Sequence, residues 1–262
     1  MKTSVVVTTY KRPDALKKVL EGLRHQTVIP DEVIVADDGS VPDTGEMVHR
    51  LKKDSPYPLH HVWQEDKGFR AAKIRNKAIL ESRGDYLIFL DGDCVPGKHF
   101  IADHHKLAEK GYFFQGKRIL VKRFLTPMFT HKDANSVGKL IRYAFTNRIK
   151  NSHHILRMTR FPPIVSTSLK GIKSCNMGFF RNDIFAVNGF NQDFVGWGRE
   201  DSELAVRLFG YGLKRKGHPF MAICFHLWHE EHNRDRLPIN DELLRMAVQA
   251  NGYICSNGLV KR

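Results

Sequence analysis

The sequence predicts an α/β fold in which parallel strands alternate with helices, and three observations carry that expectation. Short β-branched and apolar runs at 4–9, 33–36 and 86–90 are separated by stretches whose apolar residues recur at helical spacing, the pattern of βαβ units. Each run ends in polar or acidic residues, namely Tyr10, Asp37-Asp38 and Asp91-Gly92-Asp93, and parallel sheets bind ligands beyond the carboxyl ends of their strands. The chain has 262 residues, 42% of them hydrophobic, enough to bury the large core such a fold requires.

Taken in order, Ser4 to Thr9 reads as a first strand. Pro13 then suits a first helical position and Asp14 a first turn, and Leu16, Val19, Leu20 and Leu23 mark the buried face of a helix. Val33 to Ala36 is a second strand, closed by Asp37 to Ser40, and His60 to Gln64 is a third. Ala71, Ile74 and Ala78 give a helix, and Tyr86 to Leu90 is a strand apolar on both faces. The second half is less regular. Helical patterning around Val137 to Ile149 is broken by Arg160 to Ser166, a glycine-rich stretch runs from Asn188 to Asp201, and a helix follows with Leu204, Ala205, Leu208 and Phe209 on one face. Met221 to Leu227 reads as an apolar strand. The expected organisation is a single domain with a first half at 1–98, a basic and partly helical connecting segment at 99–171, and a second half at 172–262 that ends in a helix.

No run approaches the roughly 18 apolar residues of a membrane span, and the first apolar stretch is too short for a signal peptide, so the expected location is the cytoplasm. Four cysteines, Cys94, Cys175, Cys224 and Cys255, lack paired spacing, which fits reduced thiols and argues against a zinc module. Lys and Arg total 42 against 28 Asp and Glu, a formal charge of +14, so an anionic partner is expected: nucleic acid, an acidic membrane or a phosphorylated substrate. The excess is local, with eleven basic residues and only Asp133 acidic from Lys117 to Arg160.

The carboxylates at the strand ends are the first chemical signal. In Asp91-Gly92-Asp93 the glycine lets the chain turn and approach a ligand closely, while the two negative groups repel unless a cation lies near them. A divalent ion shared with substrate phosphates meets that need; a solvated turn at the end of a strand is the plain alternative. In Asp37-Asp38-Gly39-Ser40 a strand-end aspartate either accepts from a nucleobase N–H or caps the next element.

The string of motifs resembles a known family. The stretches SVVVTTYKRPD, DEVIVADDGS, QEDKGFRAAKIRNKAI and GDYLIFLDGD look like the nucleotide-sugar half of the family 2 glycosyltransferases, which have the GT-A fold: a Rossmann-like mixed central sheet flanked by helices. CNMGFFRNDIFAVNGFNQDFVGWGREDSELAVRLFGYG is similar to the galactosyltransferase-type C-terminal module of β-1,4-galactosyltransferases and chondroitin-polymerase-like enzymes. The resemblance implies an inverting, metal-dependent transfer from a UDP-sugar. It implies that Thr8, Thr9, Tyr10 and Arg12 border the nucleoside, that Asp38 binds the uracil ring, and that Arg75 and Asn76 lie near base and ribose. It implies Asp93 as the more direct ligand of Mn2+ or Mg2+, with Asp91 nearer the ribose. Asp201 is the implied base, Glu200 an acceptor-binding partner, and Trp197, Gly198, Arg199 and Asn176 substrate-binding residues. Relatives often carry glycine where this chain has Arg199, and a further acidic residue where it has Ser202.

Glu200 and Asp201 open a helix, where the macrodipole favours the ionised form, and Trp197 offers an indole platform for a sugar ring. His226 and His229 complete the expected metal set, imidazole being a common ligand of transition ions. Residues three apart on a strand face opposite ways, so both can ligate only if the strand ends near Leu227; His229 is the first choice and His226 the second. Two other functions compete. A nucleotidyltransferase would want a glycine-rich first loop, which TTYKRPD lacks. A nucleic-acid-binding protein would use Phe124, Phe129, Tyr143 and Phe145 among the basic residues, but the acidic clusters would then repel phosphates, so no nucleic acid is expected. The basic segment 117–160 fits an anionic membrane surface or a lipid-linked acceptor better. That suits bacterial lipopolysaccharide or capsule synthesis, with the protein peripheral on the inner face of the cytoplasmic membrane.

Overall fold

A computed structural model describes residues 1–231, 233–250 and 252–261 of the protein. The first half runs β1 (Thr3–Thr9), α1 (Pro13–Arg24), β2 (Glu32–Asp37), α2 (Pro42–Lys52), β3 (Leu59–Trp63), α3 (Ala71–Glu81) and β4 (Tyr86–Asp91). Proline opens both α1 and α2, where its missing N–H would have had no helical partner and its fixed φ suits the first turn. Helix α2 was not legible in the sequence, because it buries only Thr44, Met47 and Val48 and so carries a thin apolar stripe.

The chain continues through β5 (Cys94–Pro96), α4 (Phe100–Leu107), β6 (Tyr112–Gln115), β7 (Lys117–Val121), α5 (His131–Ala134), α6 (Val137–Phe145), β8 (Ile149–Lys150) and β9 (Ile164–Ser166). It ends with β10 (Asn176–Phe180), α7 (Arg181–Ala186), α8 (Glu200–Gly210), β11 (Lys214–Gly217), β12 (Ile223–His226) and α9 (Leu237–Ala250). Two expected spans are shorter in the structure. The helical stretch from Val137 stops at Phe145, since Asn147 has φ +53° and Ile149 pairs with Val121. The strand expected from Met221 begins only at Ile223, after Ala222 turns with φ +51°.

The main sheet has the order β3-β2-β1-β4-β10-β6-β11-β9. Its first four strands are parallel, β10 runs antiparallel to β4, and the sheet is therefore mixed. Both faces are covered. Val5, Val7, Ile88 and Leu90 pack into one core, and Val6, Leu87 and Phe89 into another, which is why these strands read as continuous apolar runs rather than alternating ones. A second sheet, β5-β12-β7-β8, sets His226 opposite Cys94, the neighbour of Asp93. The segments anticipated at 99–171 and 172–262 interleave: β6 lies between β10 and β11.

Candidate active site

The carboxyl ends of β1, β2 and β4 converge as the sequence suggested. Thr8 lies opposite Asp91, and Thr9 opposite Asp37. After β4 the chain turns at Gly92, whose N–H donates to Thr8 O at 2.7 Å. A Cβ there would sit 2.9 Å from that same oxygen, so only glycine allows this approach. Tyr10 and Lys11 both reach Asp66, the tyrosine hydroxyl donating at 3.2 Å and the ammonium at 2.5 Å.

The two aspartates of the Asp91-Gly92-Asp93 turn have different partners. Asp91 accepts from the Arg75 Nη2 at 3.3 Å. Asp93 faces Arg12 at 3.3 Å, His229 at 3.4 Å and His226 at 3.6 Å. Burial raises the pKa of both carboxyls, opposed mainly by Arg75 at Asp91 and by His229 and Arg12 at Asp93. Burial, with Arg118 nearby, holds the His226 imidazole down at about 3, hence neutral.

Strand β12 ends at His226, and Leu227 N donates to Asp93 O at 2.8 Å, which bends the chain so that His229 returns beside His226. The condition for both imidazoles to point one way is thus met. Ligand atoms of Asp93, His226 and His229 lie within 4.8 Å of one another. One carboxylate and two imidazoles form a donor set suited to a borderline divalent ion such as Mn2+, so the residues fit the metal that the sequence implied.

Several expected ligand residues are tied into the fold. Both oxygens of Asp38 are engaged, one by Gln64 Nε2 at 2.5 Å and one by Arg70 N at 2.6 Å, and burial still raises its pKa. Asp37 closes the turn after β2 rather than capping α2, accepting from Ser40 N at 2.8 Å and meeting His61 at 3.0 Å. Asn76, expected near base and ribose, is buried and grips Phe190 through both its N–H and its carbonyl, at 2.8 and 2.7 Å. Asn176, expected at the substrate, is also buried; its amide donates to Ala222 O at 2.7 Å and its oxygen meets His104 at 3.0 Å. Both amide side chains are committed to protein partners. Arg75, expected near the base, is buried beneath the site, where it holds Thr8, Asp91 and Glu200.

Helix α8 delivers Glu200 and Asp201. Glu200 accepts from Arg75 at 3.0 Å and is nearly buried. Asp201 accepts from Ser202 N at 2.7 Å and from Ser174 N at 3.3 Å. Burial, then the adjacent Glu200 charge, raises the Asp201 carboxyl to about 6, against the pull of Arg75. The helix terminus was expected to favour ionisation; desolvation outweighs it. Arg199 precedes the helix with φ +78° and pairs with Asp241 at 2.5 Å. Trp197 is partly exposed and lies under the Arg234 guanidinium at 4.8 Å. Glu203, the acidic residue that follows Ser202, is buried in a pair with Arg207 at 2.7 Å.

Sequence reasoning missed Asn240, whose amide donates to Gly198 O at 2.9 Å and Val195 O at 3.2 Å and so clamps the Trp197 turn from α9. No local signal marks it, because an asparagine inside a helix usually faces solvent. It also missed Gln64 and Arg70 as the supports of Asp38, although both flank the third strand and the loop after it.

Residues 4–168 match the model of glycosyl transferase family 2, and residues 145–230 match a model described as the N-terminal domain of galactosyltransferase. An uncharacterized glycosyltransferase of Bacillus subtilis is 36% identical over 97% of this chain and 71% of its own length. Chondroitin synthase of Escherichia coli is 28% identical over 84% of this chain but only 33% of its own. The chain spans about half or less of the curated relatives it first matches. Among solved structures, S. aureus TarS 1–349 with UDP-GlcNAc superposes with a TM-score of 0.65 at 16% identity, over 94% of this chain and 66% of that one. A Pyrobaculum calidifontis mannosyltransferase with GDP-Man and Mn2+ gives 0.58 at 18%, over 95% and 72%. The chain belongs to glycosyl transferase family 2 and has the GT-A fold.

Proposed function

We propose that this glycosyltransferase is inverting and metal-dependent, moving a sugar from a UDP-sugar to a saccharide or lipid-linked saccharide in the synthesis of a bacterial lipopolysaccharide or capsule, at the inner face of the cytoplasmic membrane. The observation that carries the reading is the approach of Asp93, His226 and His229, from opposite halves of the chain, to within 4.8 Å of one another at the carboxyl end of β4. Those three residues would hold Mn2+ or Mg2+, which when bound neutralises the charge on the departing diphosphate. Thr8, Thr9, Tyr10 and Asp38, the last oriented by Gln64 and Arg70, are assigned to the nucleoside, and Trp197, Gly198 and Arg199 to the acceptor.

In this reading an acceptor hydroxyl oxygen bonds to the anomeric carbon from the face opposite the diphosphate. The bond from that carbon to the diphosphate oxygen breaks, and its electron pair leaves with UDP. The hydroxyl proton passes to Asp201, whose carboxyl, raised to about 6, is largely ionised at neutral pH and still basic enough to take it. Glu200 would orient the acceptor, and its own carboxylate is held by Arg75 at 3.0 Å.

The test is turnover of a panel of UDP- and GDP-sugars with Mn2+, scored by released nucleoside diphosphate, with and without saccharide acceptors. Release from a UDP-sugar that needs both metal and acceptor supports the reading. Equal release in chelator, or selectivity for GDP-sugars, overturns the metal or the donor assignment.

A further inference from the structure

Helix α6 has an unpartnered apolar face. Of its nine residues only Leu140 is buried, while Val137, Ile141 and Phe145, spaced i, i+4 and i+8, are 47%, 43% and 88% exposed. A second apolar group stands nearby on the turn after β7, where Phe124 is 89% and Met128 64% exposed. Phe124 and Phe145 are brought to one place, the open end of the β7–β8 pair: Val121 lies opposite Ile149, and Lys122 N donates to Arg148 O at 3.0 Å. Large apolar side chains exposed this far, and grouped, mark a surface that meets another phase or molecule.

Charge selects the partner. Arg123, Lys132, Arg142, Arg148 and Lys150, in the same segment as this apolar set, are exposed. Asp133, the single acidic residue of the segment, is buried and neutralised by Lys139 at 2.8 Å. The structure also trims the basic count read from the sequence, since Arg157 is spent on Asp103 at 2.6 Å. An apolar stripe in a segment whose exposed cations form no ion pair among the described residues is the make-up of an interfacial helix on an anionic bilayer. No helix among the described residues is long and apolar enough to cross a membrane. At nine residues, α6 is about 14 Å long, suited to lying in the headgroup plane.

The patch is mechanically joined to the active site. Arg123 stacks over Trp228 at 4.8 Å, Trp228 N donates to Thr126 Oγ1 at 2.9 Å, and Trp228 adjoins His229. Lys18 of α1 donates to Thr126 O and Pro127 O, both at 2.7 Å, which fixes the turn that carries Phe124 and Met128.

We infer that Phe124, Met128 and the Val137–Ile141–Phe145 face of α6 insert into the headgroup region of an anionic bilayer, turning the Trp228–His229 side of the active site toward an acceptor at the membrane surface. This deepens the lipid-linked-acceptor reading and rests on it only for its purpose, since insertion is measurable without any acceptor. The test is sedimentation with phosphatidylcholine vesicles, with and without phosphatidylglycerol, over a range of salt. Expected is binding to the anionic vesicles that weakens with salt. Phe124→Ser/Phe145→Ser should weaken it by about tenfold or more while UDP binding and unfolding midpoint stay unchanged. Phe124→Trp should show a blue-shifted emission with those vesicles that brominated lipid quenches. Equal binding by the double serine variant, or no blue shift, would leave charge alone and overturn insertion. Binding to RNA as tight as to anionic vesicles, or a dimer in solution that the serine variant dissolves, would reassign the face. Loss of sugar transfer with insertion intact would instead strike the proposed function.

Discussion

Arg75 and Glu200, 125 residues apart in the chain, meet at 3.0 Å beneath the candidate active site, with both side chains nearly buried. The same guanidinium holds Asp91 at 3.3 Å and Thr8 Oγ1 at 3.2 Å. Burial opposes its charge, but Asp91 and Glu200 outweigh that and raise its pKa. Arg75 therefore couples the strand-end acids of the first half to the helix that carries Asp201.

Removing that cation should destabilise the protein strongly. Arg75→Met removes the cation that both Asp91 and Glu200 bind, and breaking a buried pair in this way costs about 3–5 kcal/mol. Arg75→Met/Glu200→Gln should recover part of the loss. Urea unfolding measures both; a single variant within about 1 kcal/mol of the parent would show that the bracket contributes little.

Asp201 yields a linked pair of expectations. Asp201→Asn should leave UDP affinity unchanged and lower turnover by about 10²–10⁴-fold, the range for loss of a general base. With the carboxyl raised to about 6 by burial and Glu200, turnover of the parent should fall with acid below about pH 6, and Glu200→Gln should move that midpoint down.

The stability sign follows from the same shift. The carboxyl is protonated in folded and unfolded states below about pH 4, so no penalty exists there. As pH rises from about 4 through about 6 the folded state must ionise a largely desolvated group, and stability is lost. Asp201→Asn should thus be more stable than the parent by about 1–3 kcal/mol at pH 7.5 and no more stable at pH 4. Thermal unfolding at the two pH values checks this; an equal difference at both would discard the raised carboxyl.

The metal set should behave as a unit. Asp93→Asn and His226→Ala should each weaken Mn2+ binding by calorimetry and remove the Mn2+ enhancement of UDP affinity, with the apo protein folded in both. UDP affinity that is indifferent to chelator in the parent would remove the metal from donor binding.

Asn76 separates a structural role from a ligand role. Because both its hydrogen-bonding groups hold Phe190, Asn76→Ala should cost about 1–3 kcal/mol of stability with little change in UDP affinity. A large loss of UDP affinity at full stability would return Asn76 to the nucleotide site.

Much of the fold was legible because the information is local. Continuous apolar runs ending in acids mark doubly covered parallel strands and their ligand-binding ends, and Pro13 with the Leu16, Val19, Leu20, Leu23 stripe marks α1. The Asp91-Gly92-Asp93 turn and the Glu200-Asp201 helix start could likewise be located from the order of residue types. Tertiary structure decided what those groups meet. His226 and His229 converge only because β12 ends at His226, beside β5, and the chain then bends at Leu227. Asn76, Asn176 and Arg75 lie inside the fold because their partners, Phe190, Ala222 and Glu200, come from remote segments. Hydrogen bonds and desolvation depend on distance in space, which strand pairing sets and residue order alone does not. By itself the sequence determined the chemistry available at the strand ends; the packing of the two halves determined which carboxylates keep a cation, which have their pKa raised by desolvation, and which amides are spent on the fold.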